Sequence, residues 1–194
     1  VDPVPHFQMV TSEIGYIAFN KFNNKASSSV KSAFVDLKDQ GMNKLILDLR
    51  GNPGGLLNEA INITNFFVPK NEEVVSTKAK LKKWSEVYKT KYEPIDLDMP
   101  IVVLIDGKSA SASEIVSGVM QDYDRGVLIG QRSYGKGLVQ NTMDVGYNAM
   151  VKITTAKYYV PSQRCIQSVE YKDGEPVQIA DELRAKFTTR NGRT

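Results

Sequence analysis

Histidine and cysteine are nearly missing from this chain, with one of each, His6 and Cys165, among 194 residues. A single cysteine excludes an internal disulfide and a cysteine-built metal site. A Ser-His-Asp triad would have to recruit His6 from a proline-flanked, mobile terminus, and a zinc site would find no second histidine. No run of 18 apolar residues occurs, so no segment reads as a membrane-spanning helix. No signal-peptide pattern is visible either, which leaves location open. Charge of one sign is scarce overall, with a net +3. The excess is local: Lys78, Lys80, Lys82, Lys83, Lys89 and Lys91 crowd one segment, with Trp84, Tyr88 and Tyr92 between them. Glu86 and Glu93 interrupt that run, which reads as a solvated hairpin or edge strand guarded by lysines. Nucleic-acid binding there is the weaker alternative.

The composition, 41% hydrophobic and 24% charged, suits one domain with a sizeable core. "IGYIAF" (14–19) and "KLILDL" (44–49) read as strands. Between them "SSSVKSAFVDLKDQG" places Val30, Phe34 and Leu37 at helical spacing, with serines to cap its start and Gly41 its end. "RGNPGG" (50–55) is a turn, and a helix follows over 56–67. "EEVVST" reads as a strand and 78–99 as a polar hairpin. "IVVLID" (101–106) fits a strand covered on both faces, "SASASEIVSGVMQDY" a helix, "GVLIG" (126–130) a short buried strand and 149–160 a longer strand. Residues 161–194 lack clear periodicity. Strands alternating with helices predict an α/β domain with crossovers.

Three segments carry chemistry. "KSASASE" (108–114) follows a buried strand and opens a helix. Its serines, Ser109, Ser111 and Ser113, are either N-caps or a nucleophile whose following N–H faces a bound carbonyl. Spacing alone does not choose among the three. Lys136 stands between glycines in "SYGKGLVQ" (133–140), either in a surface turn or as the base that a histidine-poor chain needs. An ordinary lysine is neutral in about one molecule in 2,500 at pH 7. This reading therefore expects Lys136 to lie away from water, where the neutral amine is favoured. Gln140 would aim that amine without adding charge. The glycine turn, which is neither a Walker nor a dinucleotide sequence, offers an N–H from Gly55 or Gly54 to join that of Ala112 around an oxyanion.

Taken together, "GYIAF", "LILDLRGNPGG", "KSASASEIVSGVMQDYDRGVLIG", "SYGKGLVQ" and "TTAKYYVPSQRCIQ" resemble, in order and spacing, the core of the C-terminal processing peptidases, or tail-specific proteases. The resemblance covers about residues 14–167. It implies a ClpP/crotonase-like α/β core with a mixed, mainly parallel sheet and crossover helices. It also implies Ser111 as nucleophile, Lys136 as base, Gln140 as its partner, and Ala112 with Gly55 as oxyanion donors. No metal or cofactor is implied. Expected partners are protein or peptide substrates with an apolar C-terminus, not nucleic acid, in an extracytoplasmic and usually periplasmic setting compatible with membrane association. The oligomeric state is left open. Members usually carry a PDZ domain ahead of this core. Residues 1–13 read as the flank left after it, and 168–194 as a truncated C-terminal segment. A non-catalytic lipid- or peptide-binding module on the same fold, or an acyl-coenzyme A enzyme of the crotonase type, are the rival readings.

Overall fold

The computed structural model describes residues 2–173, 175–178 and 185–194. Strands β1 (His6–Met9) and β2 (Ile14–Ala18) precede helix α1 (Ala26–Asp39), strand β3 (Lys44–Asp48) and helix α2 (Leu57–Asn65). Strands β4 (Glu73–Lys78), β5 (Glu86–Lys89) and β6 (Ile101–Ile105) lead to helix α3 (Ala112–Asp122). After it come β7 (Val127–Gly130), the long hairpin β8 (Leu138–Gly146) and β9 (Ala149–Tyr159), and the small pair β10 (Val169–Lys172) and β11 (Glu175–Gln178).

One sheet has the order β1-β2-β3-β6-β7, antiparallel at β1 and parallel elsewhere. Its strand order only advances, and crossovers of one hand then put α1, α2 and α3 on the same face. The helices do pack side by side, α1 on α2 and α2 on α3. Leu45, Leu47, Ile101 and Val103 are buried there, whereas Ile46, Val102 and Leu104 are only half-buried and Val127 and Ile129 are exposed. The sheet is thus covered on one face, not on both as the apolar runs suggest. A second, antiparallel sheet, β5-β4-β9-β8, leans on α3 through β4.

The α1 interface follows the helical period: Ala26, Val30, Ala33, Phe34 and Leu37 are all buried. Phe34 meets Phe67 edge-on at 5.6 Å, and Phe19 meets Phe22 at 4.5 Å. The serines do not cap this helix as expected. They lie within its first turn, and Glu59 of α2 accepts the Ser27 N–H at 2.6 Å instead. At the other end Gly41 takes φ +100°, and the N–H groups of Gly41 and Met42 close on the carbonyls of Lys38 and Leu37. His6 is not on a mobile end: it pairs with Ala18 in β1.

Candidate active site

The turn between β6 and α3 is tied to the glycine turn after β3 from several sides. Asp106 accepts the N–H groups of Lys108 (2.9 Å) and Ser109 (3.0 Å), which closes its own turn, and that of Gly51 (3.0 Å) across the sheet. Ser109 Oγ donates to the Leu49 carbonyl at 2.8 Å, and Ser113 Oγ to the Asn52 carbonyl at 3.0 Å. Both serines are fully buried. Asn52, equally buried, donates to the Phe19 carbonyl at 2.7 Å and accepts the Gly54 N–H at 2.9 Å. Two of the three serines are therefore committed to the scaffold. The third, Ser111, is half-buried at the N-terminus of α3, with φ +56° and ψ −113°. That backbone is strained for a residue with a Cβ, and it turns the side chain out at a strand-to-helix bend. Of the three serines, Ser111 alone has no side-chain bond to the glycine turn or to Leu49 just before it among the described residues.

Gly54 is held against this bend. A Cβ on it would come within 2.5 Å of the Ala110 carbonyl and 2.8 Å of the Ala112 nitrogen, so only glycine fits. Its N–H is taken by Asn52. Gly55 forms a parallel bridge with Phe22, in which the Leu56 N–H and the Gly54 carbonyl make the bonds and Gly55 keeps its own N–H. Among the described residues neither Gly55 nor Ala112 gives its N–H to a protein acceptor. Of the two glycines, Gly55 is the one with a donor to offer.

Glu114, one turn into α3, is 5% exposed. Its Oε2 accepts the N–H of Ser111 at 2.7 Å and that of Lys136 at 2.8 Å. Its Oε1 accepts the Gly135 N–H at 2.6 Å and Ser133 Oγ at 2.7 Å. One carboxylate therefore joins the backbones of the predicted nucleophile and base. The glycines beside Lys136 are buried beneath residues 167–168: a Cβ on Gly135 would strike Ser168, and one on Gly137 would come within 2.2 Å of the Gln167 nitrogen. Gln167 Oε1 accepts the Gly137 N–H at 2.8 Å. The expectation of a buried lysine is corrected here. The glycines take the buried positions, and the Lys136 side chain is exposed, as is Gln140 on β8 opposite Thr154. No hydrogen bond joins the side chains of Ser111, Lys136 and Gln140 among the described residues.

Sequence reasoning missed Glu114, Asn52 and Gln167. The spacing Ser111-x-x-Glu114 is a capping-box signature and contained the signal for Glu114. Below the glycine turn, Arg50 pairs with Asp48 (2.6 Å) and Tyr16 donates to it (2.7 Å). Burial pushes the Asp48 carboxyl up, but the bonds from Arg50 and Tyr16 outweigh it and hold it below the usual range. Burial and Asp48 push the Tyr16 hydroxyl up. No three metal-binding side chains cluster, and no helix is long and apolar enough to cross a membrane, among the described residues.

A serine on a strained bend at a helix N-terminus, followed by an N–H without a protein acceptor among the described residues, is an arrangement of the kind serine hydrolases use. The chain belongs to Peptidase family S41, whose model matches residues 13–173. It is 40% identical over 164 residues to a carboxy-terminal-processing protease of Bartonella bacilliformis, covering 82% of this chain and 38% of that protein. It is 36% identical to a probable CtpA-like serine protease of Staphylococcus saprophyticus, covering 79% of this chain and 31% of that protein. Among solved structures, the photosystem II D1 C-terminal processing protease superposes with a TM-score of 0.77 at 28% identity, over 92% of this chain and 47% of that one. A putative S41 protease of Bacteroides fragilis shares the fold at 20% identity, with a TM-score of 0.70 over 84% of this chain and 47% of that one. The chain thus spans about a third of the length of these curated relatives. The expected α/β fold and serine-peptidase family are both found.

Proposed function

We propose that this chain is the catalytic core of a serine endopeptidase that cleaves protein substrates near their C-termini. Ser111 acts as nucleophile, Lys136 as general base and Gln140 as the group that orients it. The observation that carries the reading is the single carboxylate oxygen of Glu114 that holds both Ser111 and Lys136. Neutral Lys136 takes the proton from Ser111 Oγ as that oxygen attacks the scissile carbonyl. The oxyanion rests on the N–H groups of Ala112 and Gly55. Lys136 then passes the proton to the leaving amine as the C–N bond breaks, and water hydrolyses the acyl-enzyme. Because Lys136 is exposed in this structure, a peptide lying over the site is what shields the amine from water. Substrates with an apolar C-terminus and an extracytoplasmic, periplasmic location belong to the same reading.

The test is Ser111→Ala and, separately, Lys136→Ala in the full-length protein, assayed on an unstructured protein with an apolar C-terminus. Each variant is expected to lose cleavage. Lys136→Arg is expected to lose it too, since arginine stays charged. Undiminished cleavage by either alanine variant overturns the mechanism. An acylating probe that labels Ser111 excludes a purely binding module.

A further inference from the structure

The antiparallel sheet beside the site contains an arrangement that costs stability and that the hydrolytic mechanism leaves unexplained. Lys78 on β4 lies directly opposite Lys157 on β9, and Lys157 directly opposite Leu138 on β8. Residues paired in this way share one face, and like charges so placed repel. Neither ammonium has a carboxylate within ion-pairing distance among the described residues. Glu86 cannot serve, because it is paired with Thr77 and faces the other way. The Lys78 ammonium is not loose: it sits 4.4 Å from the centre of the Tyr159 ring. Lys157 is half-buried. One strand step further along, on this same face, the buried Ser76 hydroxyl also lacks a partner. Two ammonium groups and an unpartnered hydroxyl therefore gather on a two-by-two block of cross-strand neighbours with no carboxylate between them.

That block starts close to the chemistry. Leu138 follows Lys136 by two residues, and the Gly137 carbonyl accepts the Tyr158 N–H at 2.8 Å. Strands lie about 4.8 Å apart, so Lys157 and Lys78 are set about 5 and 10 Å across the sheet from Leu138. An extended peptide advances about 3.3 Å per residue and covers that span in two to four residues.

Resting on the peptidase reading above, we infer that Lys78 and Lys157 form a subsite for a carboxylate of the substrate, two to four residues from the scissile bond. The carboxylate is either the free C-terminus or an Asp or Glu side chain. It supplies the negative charge that the block lacks, and it makes termini or acidic tails the preferred cargo.

The experiment compares three peptides of one length in the full-length enzyme: a free acid, its C-terminal amide, and the amide with one Glu placed two to four residues after the scissile bond. Wild type is expected to favour the carboxylate-bearing peptides in kcat/KM by about three- to tenfold, less at high salt. Lys78→Gln/Lys157→Gln should cut the carboxylate peptides to the level of the amide and leave the amide unchanged. Lys157→Arg should keep the preference, which separates charge from strand packing. Preference for the free acid alone assigns the subsite to the terminus, and preference for both assigns it to carboxylates in general. Equal rates across the set, or a preference that survives in the double variant, overturns the inference. So does loss of binding to phosphatidylglycerol vesicles in the double variant without a change in peptide preference, which would assign the pair to a membrane surface. Anisotropy of the same peptides on Ser111→Ala reads the preference without turnover, so failure of the hydrolytic mechanism is seen separately.

Discussion

Ser111 and Lys136, 25 positions apart in the chain, donate their backbone N–H groups to one and the same oxygen, Oε2 of Glu114. The backbones that carry these two side chains are therefore tied together by a buried third residue. Replacing Glu114 by Gln swaps one acceptor for an NH2 group that faces N–H donors. A buried donor left without an acceptor costs about 1–3 kcal/mol. A displacement of about 1 Å at a reacting centre costs on the order of a hundredfold in rate. Glu114→Gln is expected to lower kcat by about that factor in a protein that still folds, with a lower Tm. Full activity in a folded Glu114→Gln protein would show that the shared oxygen does not position the pair.

The three serines separate in the same kind of experiment. Ser109 and Ser113 hold the carbonyls of Leu49, just before the glycine turn, and of Asn52 within it, from buried positions. Ser109→Ala and Ser113→Ala are each expected to cost about 1–3 kcal/mol, which lowers Tm while cleavage at low temperature persists. Ser111→Gly should do the reverse. It relieves a positive φ worth about 1 kcal/mol, raises Tm and abolishes cleavage. Thermal melts alongside peptide assays distinguish the outcomes, and abolished turnover in a well-folded Ser113→Ala protein would contradict the assignment.

Much of this was legible beforehand because it is local. Apolar runs and caps gave α1, β3, β6 and α3 their types, and Gly41 closes α1 as its position in the sequence suggests. The strands β1 and β8 were not legible. His6–Gln8 is exposed and only Met9 of β1 reaches the core, and β8 is exposed along most of its length, so neither shows a one-sided apolar pattern. The site divides likewise. Residue types pointed to Lys136, Gln140 and one of the serines 109, 111 and 113, and the family resemblance to Ser111 among them, but the Glu114 and Asn52 side chains act by reaching backbone groups 22 and 33 positions away, contacts that no local pattern records. The exposure of Lys136 was misjudged because the flanking glycines were taken to make room for the lysine. They make room for residues 167–168 instead.

That packing makes the glycines testable. A methyl on Gly137 meets the Gln167 main-chain nitrogen at 2.2 Å, which cannot yield as a flexible side chain can. Gly137→Ala must push the segment that carries Lys136 away from Glu114 and lengthen a bond now 2.8 Å long. A drop of on the order of a hundredfold in kcat/KM is expected. Gly146→Ala at the β8–β9 tip is the control: φ is +82° and no atom lies within 4 Å of the added methyl, so it costs about 1 kcal/mol and leaves peptide cleavage intact. Equal effects of the two substitutions would remove close packing as the reason for the glycines at 135 and 137.

The tie between the two turns should also set the acid limit of the fold. The Gly51 N–H, with those of Lys108 and Ser109, holds the Asp106 carboxyl below its usual value near 3.8 against the opposing effect of burial. A native value below the unfolded one means that the stabilisation is fully present above the unfolded value and is lost as pH falls through the native one. Asp48 shifts in the same direction. Tm is therefore expected to hold steady from pH 7 to about 5 and to fall below pH 4 as both carboxylates take up protons. In Asp106→Asn the Tm at pH 7 should be lower and the fall below pH 4 shallower, because one proton uptake has been removed while the amide oxygen still accepts only part of the same set of N–H groups. The readout is the difference in Tm between wild type and variant across pH 2–7. A difference that stays constant through pH 4 would mean that Asp106 does not couple the glycine turn to the serine turn through its charge.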